Sequence, residues 1–327
     1  MTVTTSPSRS PSPSPEALGL SSARRAGLAD RTFRLLTLGC GLFVLIVLAL
    51  IAVATTREAW PAFSHEGLRF FTSTRWAPSE GVFGSLPFVY GTLVTSAIAL
   101  VLAVPVSVGI ALFLSDVAPP RLRRPVSSLV DLLAAIPSVV YGLWGIIVLA
   151  PFLADFYDWV SDVVAGVPVL STLFTGPSTG RSLFTAGIIL ALMITPIVTS
   201  ITREVFDTVP ASAKEAAYAL GATRWEMIRA AIFPHSRSGV VGAVMLGLGR
   251  AMGETIAAAL VIGSSAQITL HLFQSGDSMA AVIANQFGEA GGLHRSALIA
   301  LGVELFALTI LVNMLARAIV ARATRHA

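Results

Sequence analysis

The sequence is poor in charged residues and in cysteine, and each shortage excludes a class of protein. Only 12% of the 327 residues are charged, whereas 54% are hydrophobic; an average soluble domain carries about 25% charged residues. This deficit excludes an ordinary soluble protein and, with a mean hydropathy of +0.79, indicates a polytopic membrane protein. The single cysteine, Cys40, excludes an intrachain disulfide. We expect a buried free thiol there, because apolar residues surround it.

Lysine is almost absent as well, since Lys214 is the only one among the 22 basic residues. A P-loop that binds ATP needs a lysine in the pattern G-x-x-x-x-G-K-[ST], and no glycine run precedes Lys214 in PASAKEA. We therefore predict a non-catalytic chain that holds no cofactor of its own. The five histidines lack metal-ligand spacing, so no metal site is predicted. The net charge of +4 is dispersed along the chain, and this pattern does not indicate a nucleic-acid partner.

Long apolar runs are what the sequence has in abundance. A helix needs about 20 apolar residues to cross the hydrocarbon core of a bilayer. Six segments meet this requirement, at 35–53, 86–114, 126–150, 183–201, 239–263 and 296–316. The sequence therefore predicts an all-α, polytopic membrane helix bundle with six transmembrane helices. Prolines lie inside three of these spans, at positions 105, 137 and 196. Three interrupted spans favour a bundle around a pathway, although each proline alone is explained by a packing kink.

The segments that flank the spans define the predicted organisation. Residues 1–30 are rich in serine and proline and are predicted to be a disordered tail. The first transmembrane helix and an outer loop follow at 31–85, then the transmembrane domain at 86–316 and a short tail at 317–327. Within the outer loop at 151–182, the apolar and acidic pattern predicts a helix lying on the membrane. That helix either meets a substrate-binding protein or only packs at the interface.

The distribution of basic residues predicts the orientation. Sixteen of the 22 lie in the two tails and in the loops after the second and fourth spans, five lie in the other loops, and one lies inside a span. By the positive-inside rule, both termini are cytoplasmic. The alternative is that the first span is a cleaved signal peptide, because it ends in a small-residue Ala-Val-Ala. Its apolar run is longer than a usual signal core, so an uncleaved span is favoured.

The cytoplasmic loop at 202–238 has the pattern of two short helices. Pro210 suits a first helical turn, and Ser212 with Glu215 has the spacing of a capping box. Gly221 then supplies a left-handed stop. The loop carries more apolar side chains than a solvated surface accepts: Tyr218, Leu220, Trp225, Met227, Ile228 and Phe233. It therefore needs a protein partner or the bilayer surface.

The second helix of this loop is also marked at both ends. Thr223 and Glu226 form another capping box, and Pro234 is predicted to end the helix. A plain surface hairpin is the alternative to a docking element.

The fifth span, LGLGRAMGETIAAALVIG from Leu246 to Gly263, carries two charges in an apolar run. Arg250 and Glu254 stand at i and i+4, so we expect both on one helix face. Each charge costs about 2.5–3.5 kcal/mol at mid-span on insertion scales, and such residues mark substrate pathways by default. A structural pair that joins two helices is the alternative. Gly249 and Gly253 predict a close helix–helix contact at this turn.

Glu304, in the last span, is a further candidate for the pathway. Counted from the outer ends of the spans, Glu254 and Glu304 lie about 14 Å and 12 Å deep, at 1.5 Å per residue. Two carboxylates at one level would repel an anion. We therefore predict that Glu304 is protonated or paired with an arginine of a partner subunit.

The cytoplasmic loop resembles the EAA loop of ABC-importer permeases. The segment EAAYALGATRWEMIRAAIFP matches the family spacing at Glu215, Ala216, Ala217, Gly221 and Pro234. It departs mildly at Ala231 and Phe233, where the family usually has isoleucine and leucine. The resemblance implies a type I ABC-importer permease fold, in which this loop docks on a cytoplasmic ATPase. It also implies that partner subunits bind the ATP and Mg.

The fifth span is similar to the RAxGET segment of phosphate-specific ABC permeases, and IANQFGEAGGLHRSALIALG is similar to a segment of their PstC-type subunits. This resemblance implies that Arg250 and Glu254, with Thr255 of the same motif, belong to the substrate pathway. The implied partners are a PstA-type permease, two ATP-binding subunits and an extracytoplasmic phosphate-binding protein, in a bacterial plasma membrane. Sulfate or molybdate remains an alternative substrate, since an arginine fork suits any oxyanion. An ATP-independent transporter is a third hypothesis.

Overall fold

The computed structural model describes residues 20–174 and 179–325. It divides into two units, Met1–Ala54 and Thr55–Ala327. Helices make up almost all of the described part, which confirms the all-α prediction. Their bounds are Leu20–Glu66 (α1), Arg69–Thr72 (α2), Leu86–Leu112 (α3), Pro120–Ala134 (α4), Ser138–Trp144 (α5), Ala150–Val164 (α6), Pro168–Phe174 (α7), Leu183–Asp207 (α8), Ala211–Ala219 (α9), Arg224–Met227 (α10), Phe233–Gly253 (α11), Ile256–Val261 (α12), Met279–Gln286 (α13) and Gly292–Arg325 (α14).

Three π-helical segments continue α-helices without a loop. Phe113–Val117 extends α3, Gly145–Leu149 joins α5 to α6, and Ile228–Ile232 joins α10 to α11. Such segments are uncommon, and they often occur at functional sites.

Within the described residues, five helices are long and apolar enough to cross a membrane: Asp30–Glu66, Leu86–Val117, Ser138–Val164, Leu183–Asp207 and Gly292–Ala318. The third predicted span, 126–150, is therefore wrong in its bounds. Pro137 lies at the N-cap of α5 rather than inside a helix, because a proline disfavours helical backbone at the residue before it. The first part of the loop at 151–182, where a helix lying on the membrane was predicted, instead continues the candidate span Ser138–Val164.

The fifth predicted span, 239–263, is not one continuous helix. It is formed by the end of α11 and by α12, with Glu254 and Thr255 between them. Polar residues at the start of α11, with a histidine, two serines and an arginine at 235–238, also lower its apolarity.

The centre of the second unit is the packing of α3 against α8. Ala99 and Ala103 of α3 are buried with Leu190 and Ile194 of α8. Small side chains allow the two helices to approach closely, as interfaces in membranes require. Prolines 105 and 196 lie inside α3 and α8 as predicted.

A short hairpin and its neighbours form the outer layer beside the start of α3. Strand Trp76–Ala77 (β1) pairs antiparallel with Val82–Phe83 (β2), and Trp76 stands opposite Phe83. Phe83 and Phe88 are buried with Leu298 and Leu301 of α14. The aromatic cluster therefore fixes the loop between α1 and α3 on the transmembrane domain.

Two further expectations concern the ends of the chain. The predicted disordered tail at 1–30 lies mostly outside the described residues, and α1 begins at Leu20. Cys40 is exposed, so the expectation of a buried thiol is wrong. An apolar neighbourhood in the sequence does not bury a side chain on a helix that presents apolar residues outward, as Leu42 and Phe43 also do.

Candidate functional site

The charged segment of the fifth predicted span lies at a helix break. Helix α11 ends at Gly253, and Glu254 has extended backbone with φ −71° and ψ 124°. Helix α12 begins two residues later, at Ile256. The Oε1 atom of Glu254 accepts a hydrogen bond of 3.3 Å from the backbone N–H of Ala257. The carboxylate thus satisfies a free donor in the first turn of α12, where a negative charge is also favoured.

This break overturns the expected geometry of the charged pair. Glu254 is the C-cap that follows the last residue of α11, so Arg250 and Glu254 are not i and i+4 neighbours within one helix. The ion pairs formed by the described residues do not include one between them. Arg250 is exposed, whereas Glu254 is only 9% exposed.

Both residues nevertheless line one groove, which α8, α11 and α14 enclose. Its volume is about 1310 Å³. The groove is lined by Ile197, Ser238, Val241, Gly242, Met245, Leu246, Gly249, Arg250, Gly253, Glu254, Phe306, Thr309, Ile310, Asn313, Met314 and Arg317. A Cβ added at Gly249 or Gly253 would meet no atom within 4 Å among the described residues, so the close helix–helix contact predicted at this turn is wrong. Thr255 and Glu304 are not among the lining residues.

The opposite wall of the groove carries a polar stripe that sequence reasoning missed. Thr309, Asn313 and Arg317 recur at every fourth residue of α14 and all face the groove. Residues four apart share one helix face, so the spacing itself was the available signal. The Oγ1 atom of Thr309 donates to the carbonyl of Leu305 at 2.7 Å, which leaves its lone pairs as acceptors.

Glu304 lies away from this groove, beside the start of α3. Its Oε1 atom accepts a hydrogen bond of 3.0 Å from the Oγ of Ser85. Its Oε2 atom is buried and has no hydrogen-bond partner among the described residues. Glu304 therefore joins α14 to α3. That it is protonated or paired with a partner's arginine stays a prediction.

The first helix of the loop at 202–238 forms much as expected. Helix α9 follows Pro210, and Gly221 has a left-handed φ of +83° that stops it. The predicted capping box of Ser212 and Glu215 is wrong, because the N-cap is Pro210 and makes no side-chain hydrogen bond. Ser212 lies inside the helix, since the N-cap stands two residues earlier than predicted, at Pro210.

The second helix confirms one of its two predicted ends. Thr223 and Glu226 form a capping box: the Thr223 N–H donates to Glu226 Oε2 at 2.8 Å, and the Glu226 N–H donates to Thr223 Oγ1 at 3.4 Å. Hydrogen bonds from the backbone and side chain of Thr223 lower the pKa of Glu226. The prediction that Pro234 ends the helix is wrong. The chain stays helical through Ile228–Ile232 into α11, where Pro234 occupies the first turn and needs no N–H donor.

The apolar residues of this loop divide into two sets. Met227 and Ile228 are buried in a cluster with Ala111 and Phe206. Phe233 packs against the same cluster. The other three members of the set are exposed: Tyr218, Trp225 and, at 89% exposure, Leu220. The motif residues Glu215 and Ala216 are exposed beside them, as are Gly221 and Pro234, whereas Ala217 packs against the buried cluster. The loop is therefore anchored on one side and presents an apolar surface on the other.

A family model and curated relatives both match most of this chain. Residues 103–325 match the family model described as "Binding-protein-dependent transport system inner membrane component". The chain is 46% identical over 302 residues to a phosphate transport system permease protein PstC of Xylella fastidiosa (strain 9a5c), which covers 92% of this chain and 93% of the relative. It is also 46% identical over 296 residues to the PstC protein of Mesorhizobium japonicum, covering 90% of each chain.

One solved structure shows the same fold. It is that of a bacterial ABC transporter involved in the import of the acidic polysaccharide alginate, and it covers 90% of this chain and 98% of its own with a TM-score of 0.60. The sequence identity is 17%, so this likeness concerns the fold alone.

Proposed function

Because the chain belongs to the family of binding-protein-dependent transport system inner membrane components, we propose that it is a permease subunit of an ATP-driven phosphate importer. The observation that carries the substrate is the 46% identity, over 92% of the chain, to a protein named for phosphate transport. The groove lined by Arg250 and Glu254 supports the proposal, since it places a fixed positive charge among the helices of the bundle.

Arg250 is the substrate-binding group of this proposal. A guanidinium presents a planar fork of donors that fits two oxygens of a phosphate, and it stays charged at any physiological pH. Its exposure to the groove leaves these donors free to meet an anion. Glu254 holds the helix break that opens the groove at this level, and Thr255 completes the two-residue break. The negative charge of Glu254 limits how tightly the anion is held, which transport requires as much as binding.

Arg317 and Asn313 extend the pathway along α14. Both line the same groove as Arg250, so an anion released from Arg250 meets further hydrogen-bond donors on the opposite wall. Glu304 contributes to the pathway indirectly in this proposal, by holding α14 against α3 through Ser85.

The cytoplasmic loop is the proposed link to the motor. The exposed surface around Glu215, Tyr218, Leu220 and Trp225 docks on an ATPase subunit. In this proposal the ATPase subunit, and not this chain, binds ATP and Mg. Closure of two ATPase subunits then moves the loop, and the spans follow as rigid bodies. The further partners are a PstA-type permease and an extracytoplasmic phosphate-binding protein, and both termini of this chain are cytoplasmic in a bacterial plasma membrane.

Reconstitution of the complete complex in proteoliposomes tests this function. The complex comprises this chain, the partner permease, the ATPase and the binding protein. We expect labelled phosphate to accumulate in the vesicles only when ATP is present on the side of the membrane where the ATPase lies. A tenfold excess of sulfate or molybdate should leave the rate of phosphate uptake unchanged. Slower phosphate uptake in the presence of either oxyanion would contradict the proposal that the importer is specific for phosphate. Phosphate uptake by this chain alone, without the ATPase, would contradict ATP coupling.

A further inference from the structure

Helix α9 is attached to the membrane domain by few side chains. It buries none of its residues completely, and among its apolar side chains Ala217 packs against the cluster beneath it. The strongest polar contact of α9 is an ion pair. The Nζ of Lys214 lies 2.7 Å from Oδ1 of Asp116.

Asp116 belongs to the π-helical segment that ends α3, so the ion pair joins elements about a hundred residues apart in sequence. It is a well-enclosed pair, with the Lys214 and Asp116 side chains only 21% and 10% exposed. Enclosure matters, because fully exposed ion pairs contribute little.

The π-helical segment is held firmly on its other side. Oδ2 of Asp116 accepts a hydrogen bond of 2.8 Å from the Oγ of Ser115. The guanidinium of Arg123, in the first turns of α4, donates to the carbonyl of Ser115. Both carboxylate oxygens of Asp116 are therefore engaged, and the end of α3 is tied to α4.

Besides the packing of Ala217 and the backbone that continues into α10, two routes connect α9 to α8 and α3. One is the backbone, which runs through buried Val209 into α8. The other is the ion pair, which runs directly into α3. Helices α3 and α8 pack along their lengths, and the ion pair is the polar contact through which α9 acts directly on the end of α3.

Resting on the proposed function, we infer that Lys214 and Asp116 are positioning residues that transmit the motion of the cytoplasmic loop to α3 during ATP-driven transport. Neither residue lines the groove of Arg250. Their role is in coupling: without the pair, α9 moves with the ATPase while α3 lags behind.

A double-mutant cycle in the complete reconstituted complex tests the inference. The variants are Asp116→Asn, Lys214→Met and the two combined, and the readout is phosphate taken up per ATP hydrolysed. We expect each single variant to lower this ratio about fivefold, within the range usual for residues that carry coupling. The double variant should lose no more than either single one, because the two residues act as one unit.

Controls separate coupling from folding and docking. The ATPase should still co-purify with every variant, and Asp116→Glu should restore most of the ratio. Asp207→Asn removes an exposed carboxylate from the same side of the molecule and should leave the ratio unchanged. An unchanged ratio in the single variants, additive losses in the double variant, or loss of ATPase co-purification would each overturn the inference. Absence of ATP-dependent uptake in the unmodified complex would instead contradict the proposed function.

Discussion

Asp277 lies outside the five candidate spans, in the loop after α12, and it is 4% exposed. Burial raises its pKa from 3.8 to about 7, although the N–H of Ser278 donates to Oδ1 at 2.9 Å and acts in the opposite direction. A carboxyl whose pKa is higher in the folded state than in the unfolded state stabilises the fold while it is protonated, and it no longer does so at a pH where it is ionised in both states. Its favourable contribution is therefore complete below about pH 4 and is lost as the pH rises through 7.

Thermal unfolding in detergent at pH 5 and pH 8 tests this sign. We expect the melting temperature to be lower at pH 8, and Asp277→Asn to remove most of the difference by raising the value at pH 8. A variant that melts with the same pH dependence as the unmodified chain would show that Asp277 is not the responsible group.

Glu254 has two separable roles, as a cap of α12 and as a negative charge beside Arg250. Glu254→Gln keeps an acceptor for the N–H of Ala257 but removes the charge, so the fold should be unaffected. Arg250 then holds the anion more tightly, and release slows. We expect the phosphate KM and the maximal uptake rate to fall together, each about tenfold, the size of effect that one charged hydrogen bond supplies.

Glu254→Ala provides the comparison for this prediction, because it removes the cap as well. Its melting temperature should be lower than that of Glu254→Gln, since losing a cap costs about 1 kcal/mol. A KM that rises in Glu254→Gln would mean that the carboxylate helps to bind phosphate, contrary to the role proposed for it.

At the scale of elements, the loop after α12 returns directly onto α3. A Cβ added at Gly91 of α3 would lie 1.9 Å from the backbone carbonyl oxygen of Asp277. A backbone atom cannot move aside as a flexible side chain does, so Gly91→Ala must push the loop away. We expect the free energy of unfolding to fall by about 1–3 kcal/mol, the usual range for overpacking. The measurement is a lower melting temperature.

Gly109 is the matched control, because it lies in the same helix and an added Cβ would meet no atom within 4 Å. Gly109→Ala should leave stability unchanged or raise it slightly, since alanine favours helix. Equal melting temperatures for the two variants would contradict the close approach at Gly91.

The elements also show what the sequence can and cannot predict. The apolar runs predicted the helices at 86–114 and 183–201, and Gly221 predicted a left-handed turn, because each signal is local. The break at Glu254 is different. The apolar pattern continues across it without a proline, and a cap that forms three residues ahead, at Ala257, competes with continuation of α11.

The site was predictable to a similar extent. Charge in an apolar run identified Arg250 and Glu254, but their geometry depends on the break. The polar stripe of Asn313 and Arg317 faces the groove only because α14 packs beside α11, which is a tertiary fact. Pro137 was visible, yet whether a proline bends a span or begins one depends on the packing of its neighbours.

At the scale of the whole molecule, the transmembrane domain combines a groove that can bind an anion with a surface that can bind a partner subunit. A groove with Arg250 on its wall lies within the helices, and an exposed apolar loop with Leu220 and Trp225 lies beyond α8. A chain that worked alone would have no use for that exposed surface. The arrangement fits a subunit that moves an anion across the membrane with energy supplied by a partner subunit.

The most direct measurement compares two arginine variants in the complete, ATP-fuelled complex. Arg250→Met removes one positive charge from the groove wall, and Arg295→Met removes an arginine that stacks on Phe287 outside the groove. We predict that initial phosphate uptake falls at least tenfold in Arg250→Met, because hydrogen bonds to a charged group contribute about 1.5–3 kcal/mol, and stays near normal in Arg295→Met. Normal uptake by Arg250→Met would contradict the claim that phosphate crosses the membrane along this groove.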